Sequence, residues 1–466
     1  MGRQTPSWRD LGSLGLPVVT GLALLTCGSP PVEKAATERP NVLLILVDDL
    51  RPDLGAYGHP IVQSPGIDRL AATGMRFDRA YAQYPACNPS RTSLLTGLRP
   101  DTTGVLNNRT PFPSQLPGLV SLPQLFQDHG YFTASVGKVF HGSGRKGNRR
   151  ARQAWDLEVF PRSGKRAPAR SDEPMPRGHV GRYSWRMAPE SEKGLQDARV
   201  ANRAIEVLEQ ARNQTFLLAV GLTATHPHFA APARFFDLYP VASIVPPPMP
   251  ERSSVPLVAT LHGWSEEGSE EFSEEQKQEL IRAYWACVSF VDAQVGKILD
   301  SLNRLGLSGN TIVALVSDHG YHLGEQGWWS KHTLYEASTR VPLILRAPGM
   351  GTTGSSSRRL VELIDLYPTL AELAGLESPV GIEGRSLVPL LDDPELDWKQ
   401  AVFSQVTVGR NEGRSVRTEN LRYTAWNKGQ RAVELFDYAS DPTENIDRAQ
   451  DPAYAADRRR LSALLE

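Results

Sequence analysis

Three cysteines in 466 residues are too few to staple a fold. Cys27 lies in an N-terminal leader, Cys87 precedes a short helical pattern and Cys287 sits in an apolar helical stripe, so no disulfide framework is available in any compartment. Long apolar runs are absent too. The run from Leu14 to Thr26 is too short to cross a bilayer, and no later segment is apolar enough for long enough. Charge of one sign is also lacking. A formal net charge of -1 names no partner, so a protein that binds anions must gather its Lys and Arg locally. What remains, at 40% hydrophobic and 22% charged, is a globular chain long enough for one large domain with a smaller one appended.

Arg3 and Arg9 ahead of the Leu14–Thr26 run read as an export signal over residues 1–27. Leu24-Leu25-Thr26-Cys27-Gly28-Ser29 is similar to a bacterial lipoprotein cleavage box, with Thr26 where Gly or Ala is usual. Cleavage there would leave a lipidated Cys27 on a periplasmic or cell-envelope lipoprotein; the alternative is plain secretion. Residues 28–40, rich in Pro, Ala and charge, form a linker.

From Asn41 onward the pattern alternates between buried strands and amphipathic helices. Asn41–Val47 is a continuous apolar run with β-branched residues, as expected of a strand covered on both faces, and it ends in Asp48-Asp49. Paired carboxylates at a strand's carboxyl end stand where open α/β sheets build sites, which favours a hard cation. Ser64-Pro65 opens a helix to Leu70, and Met75–Ala82 is a strand. A helix over Ser121–His129 and a strand over Tyr131–Val136 lead to Lys138 and His141, again just past a strand end. Gln196–Gln210 is a helix, and the strand Thr215–Leu222 runs into His226-Pro227-His228, which lacks a third partner for zinc and reads as a loop histidine acting on substrate. Ser273–Leu305 is the longest helix, opened by a Ser273-x-x-Gln276 capping box, with Cys287 as core. Thr311–Ser317 delivers Asp318-His319-Gly320, Val341–Leu345 is a further strand, and Leu360–Ala374 reads as a helix. After Ala401 the segments Ala401–Val406, Ser415–Trp426 and Ala432–Tyr438 suit a small antiparallel sheet. Residues 144–170, studded with arginine, are either a solvated loop or an electropositive lip over an anion site.

The most informative stretch is Cys87-Asn-Pro89-Ser90-Arg91-Thr-Ser-Leu94-Leu95-Thr96-Gly97. Pro89 suits a first helical turn and Gly97 a C-terminal cap, so free amides and the positive dipole end would face Cys87. The segment resembles the signature of the type I, formylglycine-dependent sulfatases, C-x-P-S-R-x-x-L-L-T-G, at every fixed position. The likeness extends from about Asn41 to Asp447 and is nearest to the iduronate-2-sulfatase branch, through Asp48-Asp49-Leu50-Arg51-Pro52, Gly137-Lys138-Val139-Phe140-His141, His226-Pro227-His228, Asp318-His319-Gly320 and Lys331-His332.

That resemblance implies an alkaline-phosphatase-like α/β/α sandwich, divided into a catalytic domain over residues 41–400 and an antiparallel C-terminal subdomain over 401–466. It implies that a maturation enzyme oxidises Cys87 to formylglycine, whose hydrate attacks sulfur, and that Asp48, Asp49, Cys87, Asp318 and His319 hold calcium. Arg91 would steady the hydrate, Lys138 and Lys331 grip sulfate, His228 protonate the leaving alcohol, and His141 act as base when sulfate is expelled. The implied substrate is a sulfated saccharide, a 2-sulfated uronate cut from the chain end. The rival readings are a phosphatase or phosphonate hydrolase on the same scaffold and a lipid-tethered glycan-binding protein without activity.

Overall fold

The computed structural model describes residues 39–112, 116, 118–142, 153–161, 177–180, 183–189, 191–248 and 272–466. The leader with Cys27 lies outside the described residues, as do the arginines between 144 and 152 and between 162 and 170. No helix among the described residues is long and apolar enough to cross a membrane.

The apolar runs become β1 (Asn41–Val47), β2 (Met75–Tyr81), β3 (Phe132–Gly137), β4 (Leu157–Val159), β5 (Phe216–Leu222), β6 (Thr311–Ser317), β7 (Arg340–Arg346) and β8 (Ser355–Glu362). They form one sheet in the order β8-β2-β7-β6-β1-β5-β3-β4, in which β7 alone runs against the others. Every residue of β1, β5 and β6 is buried, because both faces are covered. Alternate residues of β1 serve the two faces. Leu43, Ile45 and Val47 pack with α1 (Pro65–Thr73), α4 (Gln196–Ala211) and α5 (Glu274–Arg304), while Val42, Leu44 and Leu46 belong to the layer of α2 (Cys87–Thr96), α3 (Leu122–Asp128) and α6 (Leu366–Leu373). The result is the expected α/β/α sandwich, with Cys287 in its core.

Strand register sets the position of the site. Val47 pairs with both Leu222 and Ser317, so Asp48, Thr223 and Asp318 leave the sheet together at its carboxyl edge. Gly137 pairs with Gly221 on the next strand, and Lys138 follows. Smaller strands β9 (Val402–Val408), β10 (Asn411–Arg417), β11 (Leu421–Trp426) and β12 (Ala432–Asp437) form a separate antiparallel sheet in chain order.

Three expectations are corrected. Leu360–Glu362 are not helical: they finish β8, paired with Arg79–Tyr81, and α6 starts only at Leu366. A sheet edge offering free backbone partners overrode their helical pattern. Ser415–Trp426 is two strands joined by a turn rather than one segment. Ser64 does not cap α1; its hydroxyl accepts from Gly55 N–H and donates to Asp68, while the Asp292 carboxylate from α5 accepts from Gly66 N–H (3.0 Å) and Ile67 N–H (2.7 Å). The capping box of α5 forms as expected.

A side chain at position 221 has no room, since a Cβ there would stand 2.0 Å from the Lys138 carbonyl oxygen. Gly221→Ala should therefore lower stability by about 1–3 kcal/mol, read from the urea unfolding midpoint. An unchanged midpoint would contradict this packing.

Candidate active site

Helix α2 starts at Cys87 and ends on Gly97, whose φ of 67° is left-handed and whose N–H closes onto Ser93 O. The amides that follow Cys87 are not free. Asn88 N–H is taken by Asn108 Oδ1 at 2.9 Å, Ser90 N–H returns to Ala86 O, and Pro89 has none. The positive charge facing Cys87 comes instead from side chains. Lys138 Nζ lies 3.4 Å and Lys331 Nζ 3.5 Å from Sγ. Burial and the Asp48 carboxylate push the Cys87 thiol up, yet the two ammonium groups outweigh them and hold it well below the usual thiol range.

Arg91 points from the next turn of α2 into the sheet edge and is fully buried. Its Nε donates to Asp318 Oδ2 (2.7 Å), Nη2 to Asp48 Oδ1 (3.2 Å), and Nη1 to the carbonyls of Lys138 and Val139. One guanidinium thus ties the ends of β1, β6 and β3. Burial pushes the Asp48 carboxyl up, but Lys138 and Arg91 hold it well below the usual carboxylate range. Lys138 also donates to Asp48 Oδ2, and Lys331 donates to Asp49 Oδ1 at 2.6 Å.

Asp48, Cys87, Asp318 and His319 offer ligand atoms that all lie within 4.8 Å of one another. Asp49 adjoins this group, its Oδ1 3.3 Å from His319 Nδ1 and held by Lys331; its Oδ2 is buried without a hydrogen-bond partner among the described residues. His319 Nδ1 faces the Gly320 carbonyl at 2.9 Å and so donates to it, and Nε2 lies buried 3.7 Å from Asp318 Oδ2. Burial lowers the pKa of this ring, but Asp318 and Asp49 raise it to about 9. Carboxylates from two neighbouring strand ends, with the buried Asp49 Oδ2 left without a hydrogen bond among the described residues, fit a hard divalent cation.

The remaining predicted residues are less tightly gathered. His141 lies on the turn after β3. Of the histidines flanking Pro227, His226 is the one that approaches the acids, with Nε2 4.0 Å from Asp49 Oδ2. His228 is exposed, and its Nδ1 lies 2.6 Å from the Ser184 hydroxyl.

With this geometry in place, comparison with known proteins becomes specific. The family described as Sulfatase matches residues 40–376. The chain belongs to the sulfatase family. It is a sulfuric ester hydrolase, and residues 324–466 also match the family described as N-sulphoglucosamine sulphohydrolase, C-terminal. A relative named Sulfatase from Formosa agariphila is 32% identical over 477 residues, covering 96% of this chain and 91% of the relative. Human iduronate 2-sulfatase is 34% identical over 414 residues, covering 79% of this chain and 75% of the human protein. The phosphonate monoester hydrolase of Agrobacterium radiobacter, at 23% identity and covering 92% of this chain and 95% of its own, shares the fold with a TM-score of 0.77.

Several residues of this sulfatase escaped the sequence reading. Thr225 donates to Asp48 O (2.5 Å), Tyr284 to Asp49 O (2.8 Å), Ser90 to Asp318 O, and Ser317 to Val47 O (3.0 Å). Each holds a backbone carbonyl rather than a ligand. Ser90, a fixed position of the signature, carried the only available signal; Tyr284 was read as core.

Replacing Arg91 by Met should leave Asp48 and Asp318 buried with half their charge compensation gone. Measured with a chelator present, unfolding should cost about 3–5 kcal/mol less than in the parent. Equal midpoints would mean that the guanidinium does not hold the strand ends.

Proposed function

We propose that this sulfatase removes sulfate from a saccharide, with a 2-sulfated uronate at a non-reducing chain end as substrate, using residue 87 as formylglycine and a calcium ion. The observation that carries the reading is the pair of ammonium groups converging on the residue 87 side chain beside a cluster of acids. The likeness to human iduronate 2-sulfatase supports the saccharide. Charge balance supports the cation. Asp48, Asp49 and Asp318 offset the charges of Arg91, Lys138 and Lys331, so a divalent cation would strengthen the attraction that an incoming sulfate monoester meets.

Asp48, Asp49, Asp318, His319 and residue 87 would hold calcium, which supplies Lewis-acid polarisation of a sulfate oxygen. Formylglycine would supply, as its hydrate, the attacking hydroxyl. The other roles fall to the chain's own side chains. Lys138 and Lys331 hold sulfate oxygens where charge builds up, an arrangement worth several kcal/mol when preorganised. Arg91 holds Asp48 and Asp318 in place. His228 gives a proton to the leaving oxygen from Nε2, because Ser184 occupies Nδ1. His141 takes a proton from residue 87 when sulfate departs. Export through residues 1–27 belongs to the same proposal, since polysaccharides of this charge do not cross a membrane unaided.

Asp49→Asn should lose calcium and activity together, by elemental analysis and sulfate release. Full activity after exhaustive chelation, with no metal in the protein, would remove the cation from the mechanism. On defined oligosaccharides, sulfate should come only from a terminal 2-sulfated uronate; release from internal residues would reject this substrate.

A further inference from the structure

Lys331 sits in an unusual stretch of backbone. Its two neighbours, Ser330 (φ 92°) and His332 (φ 77°), both occupy the left-handed region that residues with a Cβ rarely adopt. Such a conformation persists only where the surroundings over-determine it. On the C-terminal side those surroundings are supplied by the small sheet.

Arg422 on β11 is almost fully buried. Its Nη1 donates to Leu334 O at 2.9 Å and its Nη2 to Glu336 Oε2 at 2.6 Å. Glu444 accepts from Glu336 N–H at 2.7 Å. Between these two anchors the Tyr335 hydroxyl donates to Glu434 Oε1 at 2.6 Å, and Trp426 Nε1 holds the other oxygen of Glu434 at 2.9 Å. The chain from Leu334 to Glu336 is therefore bonded at three successive residues, through backbone as well as side chain.

The same sheet holds the approach to residue 87. On β9, Gln405 N–H donates to Gln83 O (2.9 Å), the Ser404 hydroxyl to Ala82 O (2.6 Å), and Thr407 N–H to the Tyr84 hydroxyl (2.8 Å). Tyr84 and Ala86 then pack in one apolar cluster with Leu334, Tyr335, Trp426 and Phe436. Apolar contact alone would tolerate a slip of the two segments past each other; charged and backbone hydrogen bonds specify a register.

We infer that the small C-terminal sheet is a positioning device for catalysis, in which Arg422, acting through Leu334 and Glu336, sets Lys331 against residue 87. The inference rests on the reading of Lys331 as a sulfate-binding group. Arg422 touches neither substrate nor residue 87, and its effect is transmitted through the Lys331–Glu336 segment.

The test is a double-mutant cycle of Arg422→Lys and Lys331→Ala on the matured, metal-loaded enzyme, reading kcat, the inhibition constant of inorganic sulfate, metal content and Tm. Arg422→Lys keeps the charge but cannot reach both Leu334 O and Glu336. It should weaken sulfate inhibition and lower kcat about tenfold or more, with metal content unchanged. Combined with Lys331→Ala, it should add little further loss of sulfate affinity, since both changes remove one interaction. Independent, multiplying losses would mean that Arg422 only supports the fold and would overturn the inference, as would an Arg422→Lys enzyme with parental kcat and sulfate inhibition. If Lys331→Ala itself leaves sulfate inhibition untouched, the reading of Lys331 fails and the inference falls with it. Tyr335→Phe, which removes a single hydrogen bond, takes the place of Arg422→Lys in the same cycle should that variant not fold, with a smaller, equally non-additive loss expected.

Discussion

The buried ion pairs of Arg91 with Asp48 and Asp318 are the constraint on which the site depends. Two neighbouring parallel strands, β1 and β6, end side by side, and each delivers a buried carboxylate, Asp48 and Asp318. Unpaired, those carboxylates would be costly to bury, and mutual repulsion would splay the strand ends. A single guanidinium, fixed on α2, satisfies both of them and the carbonyls that follow β3. Because α2 also begins with Cys87, the bonds that neutralise the acids also place the Cys87 side chain. The helix cannot shift along the sheet edge without breaking them.

A second layer governs orientation. Hydroxyl groups of Thr225, Tyr284, Ser90 and Ser317 hold the carbonyls of the segments that carry the acids. Asp49, with φ of 60°, departs from ordinary backbone geometry between Asp48 and the Tyr284 contact. Among the described residues, Asp49 Oδ2 remains buried without a hydrogen bond.

Much of this was legible in the sequence for a physical reason. Fully buried parallel strands must be continuous apolar runs, so β1, β5 and β6 announced themselves to within a residue, and with them the position of Asp48 and Asp318. The signature fixed α2, and its resemblance carried the lysines. Tertiary contacts without local pattern were not legible. Asp292 caps α1 from a helix more than two hundred residues away, Leu360–Glu362 became strand because an edge was free, and Asn108 took the Asn88 amide at the start of α2. The role of Arg422 is of the same kind, since nothing in β11 itself points toward Lys331. Sequence reading finds groups that do chemistry more readily than the groups that hold them still.

The central claim is that the side chain at position 87 acts as an oxidised residue and not as a thiol. Preparations made with graded amounts of a formylglycine-generating enzyme can be compared by peptide mass spectrometry across Tyr84–Arg91 and by specific activity toward one sulfate ester. The account predicts that activity rises in proportion to the fraction of position 87 that has lost its thiol and gained a hydrazide-reactive carbonyl, extrapolating to zero when none has. Full activity in a preparation whose Cys87 is wholly unmodified would contradict it.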